Sequence, residues 1–119
     1  MSDSQIFDHV IVNGRLMPAE EAQTPLFNQA FLSSYGVYET VKIDRGRPFY
    51  LEEHMQRLIN SADSIEITLD VTVDTLCQWF SRLIEVDPQA TWSLRALALG
   101  PVGNVPHPII GFQAPPLST

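Results

Sequence analysis

Cations are scarce in this sequence. Seven Lys and Arg residues stand against fourteen Asp and Glu, a net charge of −7, whereas a nucleic-acid surface needs Lys and Arg concentrated on one face to meet phosphates. Nucleic acid is therefore not an expected partner. Cysteine is nearly absent: Cys77 stands alone, so the chain cannot staple itself, and no Cys/His cluster has zinc-ligand spacing, which suits a reducing compartment without structural metal. Long apolar runs are missing as well. No stretch approaches the roughly 18 apolar residues of a membrane span, and Met1-Ser2-Asp3-Ser4-Gln5 offers neither the basic start nor the apolar core of a secretion signal. A soluble, cytoplasmic protein with no membrane partner is expected.

What is present is enough for one folded domain: 119 residues, 45% of them apolar, can bury a core near the lower end of comfortable domain size. No internal repeat or low-complexity tract interrupts the chain. His9 to Val12 is apolar and β-branched, Asn13-Gly14 is a strong two-residue hairpin signal, and Arg15-Leu16-Met17 can return beside it. Val37 to Ile43 alternates, and Asp44-Arg45-Gly46-Arg47 turns it toward Pro48-Phe49-Tyr50, a second hairpin.

The period then changes. From Leu51 to Ser64 the apolar positions Leu51, Met55, Leu58, Ile59, Ala62 and Ile65 fall three and four apart, with Glu52, Glu53, Gln56, Asn60 and Asp63 on the other side, an amphipathic helix. A second helix opens on Thr72 as N-cap with Asp74 in its first turn, carries the stripe Val73, Leu76, Trp79, Phe80, Leu83 and Ile84, and ends at Asp87-Pro88. Trp92 to Leu99 and Pro108 to Phe112 read as inner strands joined by the Gly/Pro-rich turn from Gly100 to Asn104. The order ββ, ββ, αα, ββ predicts an α+β fold: a mostly antiparallel sheet with two helices packed on one side. The domain is expected over residues 1–112, with 113–119 (Gln113-Ala114-Pro115-Pro116-Leu117-Ser118-Thr119) an interdomain linker or tail.

Few residues announce chemistry. His9, His54 and His107 lie far apart, no Ser/His/Asp or Cys/His grouping has a local pattern, and isolated histidines are more often surface or structurally bonded groups than catalytic ones. Two stretches say more. In Val37 to Ile43 a period of two puts Tyr38, Thr40 and Lys42 on one face, either a plain solvent face or a functional one, and leaves Glu39 among Val37, Val41 and Ile43 on the face expected to be buried. A carboxylate there requires donors or a cation. In Leu51 to Leu58, Arg57 stands beside the apolar stripe, where its guanidinium can snorkel along the helix flank or reach inward to an anion.

The run Phe31-Leu32-Ser33-Ser34-Tyr35-Gly36-Val37-Tyr38-Glu39-Thr40-Val41-Lys42, then Gly46-Arg47-Pro48-Phe49, then Leu51-Glu52-Glu53-His54-Met55-Gln56-Arg57-Leu58 and Ser61-Ala62 resembles the N-terminal, small domain of class IV (fold-type IV) pyridoxal-phosphate aminotransferases and aminodeoxychorismate lyase. Val12-Asn13-Gly14 is similar to the family's opening hairpin, and Trp92 to Leu99 with Ile109 to Phe112 to the strands that close its small domain. The resemblance assigns Arg57, in Glu-His-x-x-Arg-Leu, to the cofactor phosphate, and Tyr38, in Gly-x-[Phe/Tyr]-Glu, to the substrate side. Thr40 and Lys42 follow onto the same substrate-binding wall by alternation.

The resemblance also implies what is not here. The family's Schiff-base lysine opens a second domain, and the single lysine of this chain, Lys42, lies in a strand of the first. No catalytic residue is therefore expected among these 119 residues, pyridoxal phosphate belongs to the complete enzyme rather than covalently to this chain, and the chain alone is expected to be inactive. Its substrate in the complete enzyme is expected to be a small amino acid or aminodeoxychorismate. Self-association, most simply as a dimer, is expected to use apolar residues outside the helical stripes, such as Leu26, Phe27, Phe31 and Leu32. The alternative is a free-standing, non-catalytic module derived from the family that dimerises or binds a small molecule.

Overall fold

The structure is a computed structural model, and it describes residues 9–19, 36–100 and 108–114. Turn chemistry sets its first hairpin. His9–Val12 (β1) and Arg15–Pro18 (β2) are joined by Asn13-Gly14 at φ 49° and 86°, the left-handed pair that lets a two-residue turn match the twist of its strands. Gly36–Asp44 (β3) and Arg47–Pro48 (β4) repeat the device through Arg45-Gly46 at φ 50° and 78°. The turn is tighter than the four residues read from the sequence, because Asp44 and Arg47 themselves pair across the hairpin. A Cβ on Gly46 would come within 2.2 Å of the Pro88 carbonyl oxygen, so close backbone approach as well as φ requires glycine.

The helices fall where their periodicity places them, Leu51–Ser64 (α1) and Val73–Val86 (α2). Met55, Leu58 and Ala62 of the α1 stripe are buried, while Leu51 and Ile59 are half-buried. Ile65 departs from the expected stripe: it is the C-cap residue, past the last helical turn, and is exposed. Ile67 and Leu69, in the extended link to α2, are buried in the core instead. From α2, Leu76, Phe80, Leu83 and Ile84 are buried, and Thr72 caps the first turn by accepting from the Thr75 N–H at 3.1 Å.

Trp92–Leu99 (β5) and Ile109–Gln113 (β6) complete a six-stranded sheet in the order β2-β1-β6-β5-β3-β4, with every pairing antiparallel. Gln113, read from the sequence as the start of the tail, pairs with Arg95. Both helices lie on one face of the sheet, where Ile11, Val41, Ile43, Leu94, Ala96 and Phe112 join the helical residues in a single core. Phe80 meets Phe112 edge to face, with ring centroids 5.4 Å apart. On the other face, the register collects Leu97, Leu99 and Ile109, which are also buried but outside that core.

Candidate functional site at the edge of the sheet

Strand β3 is held by β5 from Gly36 opposite Leu99 to Ile43 opposite Trp92. Its start is tight: a Cβ on Gly36 would lie 2.7 Å from the Ala98 carbonyl oxygen and 2.8 Å from Leu99 Cδ2, which is why glycine begins this strand. On the other side β4 pairs only with Ile43 and Asp44. Among the described residues, the edge of β3 from Gly36 to Val41 therefore has no strand partner.

The pleat sorts β3 as the sequence predicts. Tyr38, Thr40 and Lys42 are exposed on one face, while Val41 and Ile43 are fully buried beneath the helices. Glu39 shares that helix-side face, with its side chain 16% exposed. The partners it requires come from one turn of α1. His54 Nδ1 lies 2.7 Å from Glu39 Oε1, and Arg57 Nε and Nη2 each lie 3.2 Å from the same oxygen. His54 and Arg57 are three residues apart, so one helical face presents both beside the buried Met55 and Leu58.

A carboxylate oxygen only accepts, so the short contact assigns the Nδ1 proton of His54 to the bond with Glu39. Arg57 Nη2, which approaches His54 Nδ1 at 3.0 Å, is then a third donor converging on Oε1, with Nδ1 and Nε, rather than a donor to the ring. Arg57 thus does neither of the two things open to it in their simple form: it stays 59% exposed as a snorkelling residue would, yet its head is fixed to an anion. That anion is Glu39, which engages the Nε/Nη2 side of the guanidinium. Among the described residues nothing accepts from Nη1. The pair's electrostatic worth is modest, of the order of 0.2–1 kcal/mol for so exposed a partner, but leaving Glu39 without donors would cost about 1–3 kcal/mol.

Of the residues singled out in the sequence, Tyr38, Thr40 and Lys42 are brought together on the sheet face away from the helices, and Arg57 sits on the helix side of the same strand. The sequence reading missed Arg95. It pairs from β5 with Thr40 of β3, its guanidinium carbon stands 5.4 Å from the Tyr38 ring centroid, and its buried Nε has no hydrogen-bond partner among the described residues. The signal was available: period two in Trp92 to Leu99 puts an arginine inside an otherwise apolar strand, as it puts Glu39 inside β3. His54 was passed over as a structural histidine, which it is, but one that shares its acceptor with Arg57. Leu26, Phe27, Phe31, Leu32 and His107 lie outside the described residues.

Elsewhere the chemistry is sparse. No group of three His, Cys, Asp or Glu among the described residues could hold a metal, and no described helix is long and apolar enough to cross a membrane. Burial pushes the Cys77 thiol pKa up, and the neighbouring charges of Glu52 and Asp74 push it further, which favours the protonated thiol over the thiolate.

Known proteins are similar to this chain in sequence and in fold. D-alanine aminotransferase of Staphylococcus epidermidis is 28% identical over 76 residues, 64% of this chain and 27% of that protein. Aminodeoxychorismate lyase of Bacillus subtilis is 30% identical over 78 residues, 66% of this chain and again 27% of the relative. The chain thus spans about a quarter of the length of these curated relatives. Among solved structures, the branched-chain amino acid aminotransferase of Thermobaculum terrenum in its PLP form superposes with a TM-score of 0.78 at 23% identity, covering 97% of this chain and 42% of that one. The family profile of amino-transferase class IV matches residues 36–107, from the first residue of β3 through α1, α2 and β5. With more than half of its length, including the whole Glu39–His54–Arg57 cluster, inside that match, the chain belongs to the class IV aminotransferase family.

Proposed function

We propose that these residues form the small-domain side of a pyridoxal-phosphate site, in which Arg57 holds the cofactor phosphate and the face bearing Tyr38, Thr40 and Lys42 meets an amino-acid substrate. The observation that carries this reading is the state of Arg57: its head is fixed by Glu39, its Nη1/Nη2 edge is uncommitted, and it lies within the span shared with the family. An Arg fork offers an oxyanion two parallel, charge-assisted hydrogen bonds.

The residues present fit such a cofactor in part. Arg57 suits its phosphate. Arg95, whose guanidinium stands against the exposed Tyr38 ring, suits a substrate carboxylate on the other side of β3. Pyridoxal phosphate, when bound, supplies an electron sink for charge developing at a substrate's α-carbon. A lysine to anchor it and move the α-proton is not supplied by the helix side of the sheet, since the single lysine, Lys42, is exposed on the other face opposite Ser93. The role proposed for this chain is thus to bind and orient, not to transfer protons. The relatives act as a D-alanine aminotransferase, a branched-chain aminotransferase and an aminodeoxychorismate lyase, so the substrate class is put no more finely than a small amino acid or aminodeoxychorismate. A domain that runs through β6 to Gln113 with a linker beyond it, dimeric assembly and a cytoplasmic setting complete the proposal.

Two measurements test it. Purified chain mixed with pyridoxal phosphate is expected to give no turnover of amino acids or aminodeoxychorismate, and no stoichiometric adduct after borohydride reduction. A stable adduct accompanied by turnover would contradict the proposed division of labour. In a chimera of this chain with the remaining length of the Staphylococcus epidermidis relative, Arg57→Ala is expected to loosen the cofactor by about 1.5–3 kcal/mol, the range for a hydrogen bond to a charged group. Unchanged affinity would remove the phosphate role from Arg57.

A further inference from the structure

The carboxylate of Glu39 is bonded to the side chain proposed to receive the phosphate, and so controls how that side chain is presented. A long arginine side chain ordered by nothing but its own rotamer preferences loses several torsional freedoms when it captures an anion, and that loss weakens binding. In this structure the loss is met in advance. Oε1 of Glu39 accepts from Nε and Nη2 together, so that one edge of the planar guanidinium is occupied and its plane is fixed. Of the hydrogens left over, one on Nη1 and one on Nη2 lie parallel and form the other edge. His54 braces the carboxylate itself: it donates from Nδ1 to the same oxygen at 2.7 Å, and both side chains are 16% exposed, which holds Glu39 in place from the buried side.

We propose that Glu39 is a positioning residue for anion binding, braced by His54, whose Oε1 fixes the guanidinium of Arg57 so that its Nη1/Nη2 edge stays presented to a phosphate oxyanion. The proposal rests on the reading of Arg57 as the phosphate residue and adds a requirement to it. It also runs against simple electrostatics. A negative charge 3.2 Å from Arg57 opposes the approach of a second anion, so charge alone says that removing Glu39 tightens phosphate binding. Positioning says the reverse whenever the acceptor oxygen is lost.

The two effects can be separated because the donors converge on one oxygen. Among the described residues Oε2 has no donor, so Glu39→Gln can keep an acceptor at the Oε1 position while discarding the charge. Glu39→Met discards charge and acceptor together, keeps nearly the same volume, and suits a face shared with Val41 and Ile43. The test titrates the 119-residue chain and both variants with inorganic phosphate and follows the Nε–H signal of Arg57 by NMR, alongside its rate of guanidinium rotation without ligand. Wild type and Glu39→Gln are expected to show a slowly rotating, well-resolved Arg57 signal, with phosphate bound by Glu39→Gln at least as well as by wild type. Glu39→Met is expected to rotate freely and to bind phosphate about fivefold to tenfold more weakly, the loss of one or so net hydrogen bonds' worth of order.

Phosphate binding by Glu39→Met equal to or tighter than that by Glu39→Gln, which lacks the same charge, would overturn the proposal, since it would leave Glu39 only an electrostatic or structural part. Should Glu39→Met fail to fold, His54→Phe removes the brace, and unchanged Arg57 rotation in that variant would overturn the proposal as well. If phosphate leaves the wild-type Arg57 signal unmoved, the reading of Arg57 fails on its own. The rotation rates measured without ligand then still decide whether Glu39 fixes the guanidinium.

Discussion

The two helices are equally long, fourteen residues each, and face the same sheet, but they are built differently. Helix α2 has a side-chain N-cap in Thr72 and four buried side chains. Helix α1 has no side-chain cap. It starts from Tyr50 at φ 56°, a left-handed conformation that a tyrosine adopts at a cost, and it buries three residues, one of them Ala62. What α1 has instead is the flank carrying His54 and Arg57, fastened to Glu39 of the neighbouring strand. Packing and capping hold α2 in place; α1 is placed in part by a polar cluster that also presents its arginine. Local stability and site construction are divided between two helices of the same length.

The contrast breaks most visibly at Phe80. This ring is fully buried in α2 against Phe112, and Phe80→Ala is expected to cost about 3–5 kcal/mol in urea unfolding. The NMR signal of Arg57 in the molecules that remain folded should not change. A shifted Arg57 signal would mean that the two helices are not separable in this way. Capping gives the next effect. Thr72→Ala should destabilise the chain by about 1 kcal/mol, whereas Tyr50→Gly, which relieves the left-handed residue at the start of α1, should stabilise it by up to about 1 kcal/mol. Equal losses from both substitutions, measured by denaturant midpoints, would erase the difference between the two helix starts.

The smallest effect sits where the helices meet. The Cys77 thiol is raised by burial first, then by Glu52 of α1 and Asp74 of α2. A raised folded-state value means that the native state favours the protonated thiol, so its contribution to stability is full below the thiol's unfolded value and is lost as the pH rises through the folded one. Stability should therefore decline in alkaline solution just above the ordinary thiol range, and Cys77→Ser should flatten that decline. An identical pH profile for the Cys77→Ser variant would show that folding does not raise the thiol in this way.

Much of this was legible in the sequence because it depends on neighbours in sequence. The bounds of α1, the Thr72 cap and the hairpin at Asn13-Gly14 follow from spacing and turn chemistry over a few residues. So did the anomaly of Glu39, a carboxylate on a buried face in need of a partner. The partner itself was not legible. His54 and Arg57 lie fifteen and eighteen residues away, and only the packing of α1 against β3 shows that one oxygen receives both. Arg95 escaped for a related reason: an arginine in an apolar strand gains meaning when the register sets it against Thr40 and the Tyr38 ring. Ile65 was misplaced because it continues the three-and-four spacing of the stripe after the helix has ended, and the core position passes to Ile67.

The most direct test asks whether Arg57 is a phosphate residue at all. The Nε–H signal of Arg57 in the 119-residue chain can be followed while the chain is titrated with pyridoxal phosphate and, separately, with pyridoxal. The signal is expected to move in a saturable way with pyridoxal phosphate, to stay in place with pyridoxal, and to leave the spectrum with Arg57→Ala. Equal movement with both compounds, or none with either, would contradict the assignment of Arg57 to the phosphate.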